Sequence, residues 1–133
     1  MNTENKKEFL LLFRGNTWDK GLSPEEIQKV LGQFMGWFEK LNKEGKLKGG
    51  QPLEREGKIV SGKNGRTVAD GPFAESKEAI SGYFMLQVAD MDEAVEIAKD
   101  CPTLAFGLSV EVRPVAEECP TMRQARELAH AAA

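Results

Sequence analysis

The chain has 133 residues, 41% hydrophobic and 29% charged, with a formal net charge of −3. That length and apolar content supply one core, so residues 1–133 read as a single domain. The acidic balance gives no general attraction to nucleic acid or anionic lipid, and no apolar run approaches the roughly 18 residues of a membrane span.

The segment Met1 to Glu8 is polar and carries two acids, unlike a signal peptide, so a cytoplasmic location is expected. Residues 8–14 place apolar side chains at both parities, Phe9/Leu11/Phe13 and Leu10/Leu12, with Arg14 ending the second set. A strand of that pattern is covered on both faces and belongs in the middle of a sheet. Trp18, in the following turn-rich loop, either caps the core or walls a ligand site. Ser23-Pro24-Glu25-Glu26 opens a helix, with Ser23 and Glu26 as a capping box and Pro24 in the first turn. Ile27, Val30, Leu31, Phe34, Phe38 and Leu41 form its apolar stripe, and Gly45 is its stop. Gly32 and Gly36, beside Met35 and Trp37, each cost about 1 kcal/mol in a helix interior. They imply either a close backbone approach from the sheet or a cavity, which would make Trp37 a candidate ligand contact.

Residues 47–53 read as a second strand, interrupted by Gly49-Gly50. Glu54–Ser61 and Arg66–Ala69 flank the turn Gly62-Lys63-Asn64-Gly65 as a short, charged hairpin of the kind found at sheet edges. That turn lacks P-loop spacing and opens no helix. After the stretch from Asp70 to Glu78, residues 82–89 form a strong strand with Phe84/Leu86/Val88 on one face and Tyr83/Met85/Gln87 on the other. Asp90 caps the next helix, Glu93 closes its box, and Ala94, Val95, Ile97 and Ala98 pack inward. Residues 108–114 give the last strand, with Leu108/Val110/Val112 inward and Ser109/Glu111/Arg113 opposite. A terminal helix starting at Cys119-Pro120-Thr121 has only Met122, Ala125 and Leu128 as a stripe, so it lies on the surface or reaches toward a partner chain. Cys101 and Cys119 each precede a proline and read as free thiols. His130 is the sole histidine and lies near the chain end, so no metal site and no cofactor are expected.

The order strand, helix, hairpin, strand, helix, strand, tail helix gives an α+β fold: a ferredoxin-like sandwich with a C-terminal tail helix. Helices cover one face of such a sheet, yet the first strand is apolar on both. A second copy is the simplest cover, which predicts a homodimer with facing sheets, a dimeric α/β barrel. The far face would gather Leu10, Leu12, Arg14, Tyr83, Met85, Gln87, Glu111 and Arg113. Convergent polar groups on a half-apolar surface fit a small-molecule pocket; alternatively Glu111 and Arg113 pair across strands and Tyr83 caps the dimer seam. Asp70-Gly71-Pro72 is a turn, with Phe73 as its anchor in the core. Asp70 either holds that loop together or serves as a general acid or base at a sheet end, with Glu75 and Lys77 binding or tuning it.

The stretch Asp70-Gly71-Pro72-Phe73-Ala74-Glu75-Ser76-Lys77-Glu78 resembles the signature of the YCII-related (DGPF-domain) family. Gly49 to Leu53, Gly82-Tyr83, Asp92-Glu93-Ala94, Cys101-Pro102 and Val110 to Pro114 extend the resemblance over nearly the whole chain. It implies a small bacterial protein of dimeric α+β barrel fold whose biochemistry is mostly unassigned. It also implies a His–Asp pair in the cleft; Asp70 matches the aspartate's motif, whereas the histidine has no match. Two functions follow as expectations. One is a homodimer binding a small polar or aromatic ligand near Asp70, lined by Arg14, Trp37, Tyr83, Gln87, Glu111 and Arg113, with proton-transfer or elimination chemistry. The other is a non-catalytic interaction module linked to transcription initiation through a sigma factor, without direct contact to DNA.

Overall fold

The strand with apolar residues at both parities does sit inside the sheet. The structure, a computed structural model, describes residues 6–72, 76 and 78–132. Its elements run β1 (Lys7–Arg14), α1 (Pro24–Lys43), β2 (Leu47–Pro52), β3 (Lys58–Ser61), β4 (Thr67–Asp70), β5 (Ile80–Val88), α2 (Met91–Ala98), β6 (Ser109–Pro114) and α3 (Pro120–Ala132). Four strands form an antiparallel sheet in the order β2-β5-β1-β6. Each β-α-β unit is therefore split: β5 lies between β1 and β2, and β1 lies between β5 and β6. This is the split βαβ arrangement that the element order predicts.

Register fixes which residues meet the helices. Leu11 lies opposite Phe84 on one side and Val112 on the other, and Phe9 lies opposite Leu86. With period two along each strand, Phe9, Leu11, Phe13, Phe84, Leu86 and Val88 share one face. All are buried, Leu11 and Leu86 completely, against Trp37 and Leu41 of α1 and Ala94, Ile97 and Ala98 of α2.

Helix α1 begins as its first residues dictate. The Ser23 hydroxyl accepts from the Glu26 amide at 3.2 Å and the Glu26 carboxylate accepts from the Ser23 amide at 3.1 Å. Glu44 closes the helix, and Gly45 follows at φ 72°, which a side chain would resist. Its buried line differs from the expected stripe. Val30, Trp37 and Leu41 are buried and Phe34 is half-buried, while Leu31 is 48% exposed. Steps of four, three and four from Val30 trace a straight line toward the sheet, and Leu31 and Met35 lie one residue off it. Gly32 and Gly36 are exposed, and a methyl group at either would meet nothing within 4 Å. No close backbone approach accounts for them.

Two further expectations are modified. The β3–β4 hairpin is a separate two-stranded ribbon rather than an edge of the main sheet, and all eight of its strand residues are exposed. At α2, Asp90 caps the Glu93 amide at 2.9 Å, but Glu93 reaches past Asp90 to the Ala89 amide at 2.9 Å and to Lys46 at 3.2 Å. The box becomes a clasp between α2 and the start of β2. Helix α3 buries none of its residues, leaving Met122 and Leu128 exposed. Both cysteines are free thiols, Cys101 buried and Cys119 exposed.

Candidate functional site

The far face of the sheet is assembled by register. One row runs Glu111, Leu12, Tyr83, Gln51 and the next Arg113, Leu10, Met85, Gly49. Arg14, one pleat further along β1, pairs with Glu111, whose second oxygen accepts from Arg113 at 3.2 Å. The hydrogen bond from Arg14, then that from Arg113, holds the Glu111 carboxyl below the usual carboxylate range. Arg14, Tyr83, Glu111 and Arg113 thus share one surface. Gln87 lies on the same face, but its amide donates to the Gly45 carbonyl at 3.0 Å and holds the turn after α1.

Asp70 and Trp37 lie elsewhere. Asp70 ends β4 on the ribbon, with its side chain 77% exposed and paired with Lys58. The groove beside it is lined by Arg55, Glu56, Gly57, Lys58, Gly71 and Pro72, none of them from the far-face set. Gly71 behind it is buried and donates to the Gly57 carbonyl at 3.0 Å, so this turn ties the base of the ribbon. Phe73, Glu75 and Lys77 lie outside the described residues. Trp37 is 7% exposed, and its ring packs against Phe84 at 5.1 Å, Phe34 at 5.5 Å and Phe13 at 6.1 Å between centroids. Its indole Nε1 is buried with no acceptor among the described residues.

The opposite face carries a groove beside α1, where Gly32 and Gly36 implied either a close backbone approach or a cavity. It lies between α1 and the helix-side surface of β2, β5 and β1, with a volume of about 470 Å³. Phe13, Phe34, Phe38 and Phe84 line it, with Trp18 at one side and Leu31 and Met35 at the rim. Trp18 packs on the core, as its first reading has it, and also lines the groove. The rings meet edge to face: Phe13 and Phe84 at 4.9 Å and 88°, Phe38 and Phe84 at 5.4 Å and 67°. Gly50 and Gly82 also line the groove. A Cβ at Gly50 would stand 2.7 Å from both Phe84 Cδ1 and the Tyr83 carbonyl, and one at Gly82 would stand 2.9 Å from the Gln51 carbonyl. These two glycines let β2 and β5 pair closely beneath the rings. Among the described residues no charged side chain lines the space; its polar members are Gln51, Ser81 and Thr103. The available signals were Gly49-Gly50 in β2, Gly82 in β5 and the aromatic residues of α1. The β2–β5 register and the docking of α1 together bring them to one place.

The YCII-related domain pattern matches residues 8–118, from β1 to the residue before Cys119. The chain belongs to the YCII-related family. A similar sequence is an uncharacterised protein of Rhizobium meliloti (strain 1021), 44% identical over 50 residues, which are 37% of this chain and 40% of that protein. The matched part therefore spans less than half of the curated relative's length. In this YCII-related chain the family match covers the four-stranded sheet except Lys7, together with α1, α2 and the ribbon, and stops short of α3.

Proposed function

We propose that this YCII-related protein is a small-molecule-binding protein that works as a homodimer, with the ligand seated in the apolar groove between α1 and the sheet. The observation that supports this most is the groove itself: a concave, ring-lined space of about 470 Å³, within the size range of drug-sized ligand sites. Homodimerisation rests on the far face, where Leu10, Leu12, Tyr83 and Met85 are only half-buried by their own chain. Asp70 is placed outside the ligand site in this reading. It is mostly exposed and already neutralised by Lys58, so it is read as the clamp at the ribbon base.

The test is a thermal-shift screen of small aromatic and aliphatic compounds, repeated on the double variant Leu31→Trp, Met35→Trp. Both positions are at the exposed rim, so larger side chains close the groove without entering the core. Compounds that raise the wild-type melting temperature should lose that effect in the variant. A compound set with no effect on the wild type, or an equal effect on both proteins, would refute the site.

A second reading, an interaction module linked to transcription initiation, is favoured by the exposed Met122 and Leu128 of α3 and Val60 and Val68 of the ribbon. It requires stoichiometric binding to a purified sigma factor that is abolished by Met122→Glu with Leu128→Glu. Binding that survives the double substitution, or no binding, would set it aside.

A further inference from the structure

The chemistry of the groove narrows what it can hold. Resting on the site proposed above, we infer that its ligand is an uncharged, planar aromatic molecule carrying one hydrogen-bonding group, and that the Thr103 hydroxyl is the anchor for that group. Charge is the first discriminator. Among the described residues no Lys, Arg, Asp or Glu lines the groove, so an ionised ligand would leave water without a counter-charge. Shape and ring chemistry are the second. Phe13 meets Phe34 and Phe84 edge to face, Phe38 meets Phe84 edge to face, and Phe34 is tilted on Phe84; that geometry extends to an inserted ring, which gains by stacking or edge contact. An aliphatic ligand of equal bulk gains burial alone.

Depth supplies the third. Leu31 and Met35 at the rim are 48% and 54% exposed, whereas Phe13, Phe84, Thr103 and Leu108 are all buried in the lining. Thr103 is the buried hydroxyl there. Its side-chain partner among the described residues is the Cys101 sulfur at 3.2 Å, a weak donor and acceptor. Burial pushes the Cys101 thiol up, so it meets the Thr103 hydroxyl as a neutral thiol. A hydroxyl with so weak a partner retains capacity for a stronger one. Ser81 is less available, because its hydroxyl donates to the Phe13 carbonyl at 3.3 Å. The bonding group of the ligand is therefore placed at Thr103, with its ring against the phenylalanines.

Isothermal titration with a matched set of probes tests each part. 2-Naphthol should bind most tightly. Its methyl ether should bind about three- to tenfold more weakly for the lost donor. Decahydro-2-naphthol should be weaker by about two- to tenfold for the lost ring. 2-Naphthoate and the trimethyl-2-naphthylammonium ion should each be weaker by at least about tenfold. In Thr103→Val the naphthol affinity should fall to that of the ether, while the ether's own affinity stays unchanged. A purely structural role of Thr103 would move both equally. Equal binding of the saturated alcohol overturns the aromatic class. Equal or tighter binding of either ion overturns neutrality, the cation result marking an aromatic cage instead. An unchanged naphthol-to-ether ratio in Thr103→Val overturns the anchor. These results leave the site itself standing, whereas naphthol binding that is undiminished in Leu31→Trp, Met35→Trp would place the ligand elsewhere and overturn both proposals.

Discussion

Glycines of this chain have opposite consequences that only neighbours reveal. Gly32 and Gly36 sit on the exposed side of α1 with open space around them, so Gly32→Ala should stabilise the protein by about 0.5–1 kcal/mol through helix propensity alone. Gly50→Ala should cost about 1–3 kcal/mol, because the new methyl group collides with the Phe84 ring and the Tyr83 carbonyl. Chemical denaturation of the two variants checks the contrast, and equal shifts would contradict it. Trp37 poses a related question. Its ring fills the core, but its Nε1 hydrogen finds no acceptor among the described residues. Trp37→Ala should cost about 3–5 kcal/mol. Trp37→Phe, which removes the orphan donor along with some volume, should cost far less, within about 1.5 kcal/mol.

At the scale of elements, ion pairs and the ribbon give two measurable behaviours. Glu111 joins Arg14 of β1 to Arg113 of β6, and these hydrogen bonds depress its carboxyl below the ordinary value of 4.5. Folding therefore releases protons from this group. Its stabilising contribution is full above the ordinary value and is lost as pH falls through the lowered one. Glu93 behaves in the same sense, held down first by the Ala89 amide and then by Lys46. Melting temperature should drop as pH is lowered from about 6 to about 3, and Glu111→Gln should flatten part of that drop. An identical pH profile in the variant would show that the pair contributes nothing to folding. The ribbon differs in kind. Two strands with no third partner are marginal in water. Amides of β3 and β4 should exchange with solvent far faster than those of β1 and β5, and equal protection would mean that the ribbon is covered in solution.

For the whole molecule, the sheet face away from the helices leaves Leu10, Leu12, Tyr83 and Met85 half-buried. Light scattering at working concentrations should give twice the chain mass, and Leu12→Arg, at the centre of that face, should halve it while leaving the helical circular-dichroism signal intact. A wild-type monomer would remove the proposed dimer, and the half-exposed face would then be solvated. The groove lies on the other side of the sheet, between α1 and β2/β5, so ligand binding should survive in the monomeric variant.

The sequence by itself determined the elements and their pairing faces. Double apolar parity in residues 9–13 required a central strand, Ser23 to Glu26 required a helix start, and period two in residues 82–88 set which side chains meet the helices. These are local rules, acting within one or two turns or a strand length. The same rules placed Glu111 and Arg113 beside Arg14, because register follows from the buried face. Tertiary structure decided the rest. It rotated the inward line of α1 from Leu31 to Trp37, lifted the hairpin off the sheet, and left Asp70 on an exposed ribbon. It also opened the groove, since a cavity is the space between elements, and residues as distant as Phe34, Gly50 and Thr103 bound it only once the strands have paired and the helix has docked.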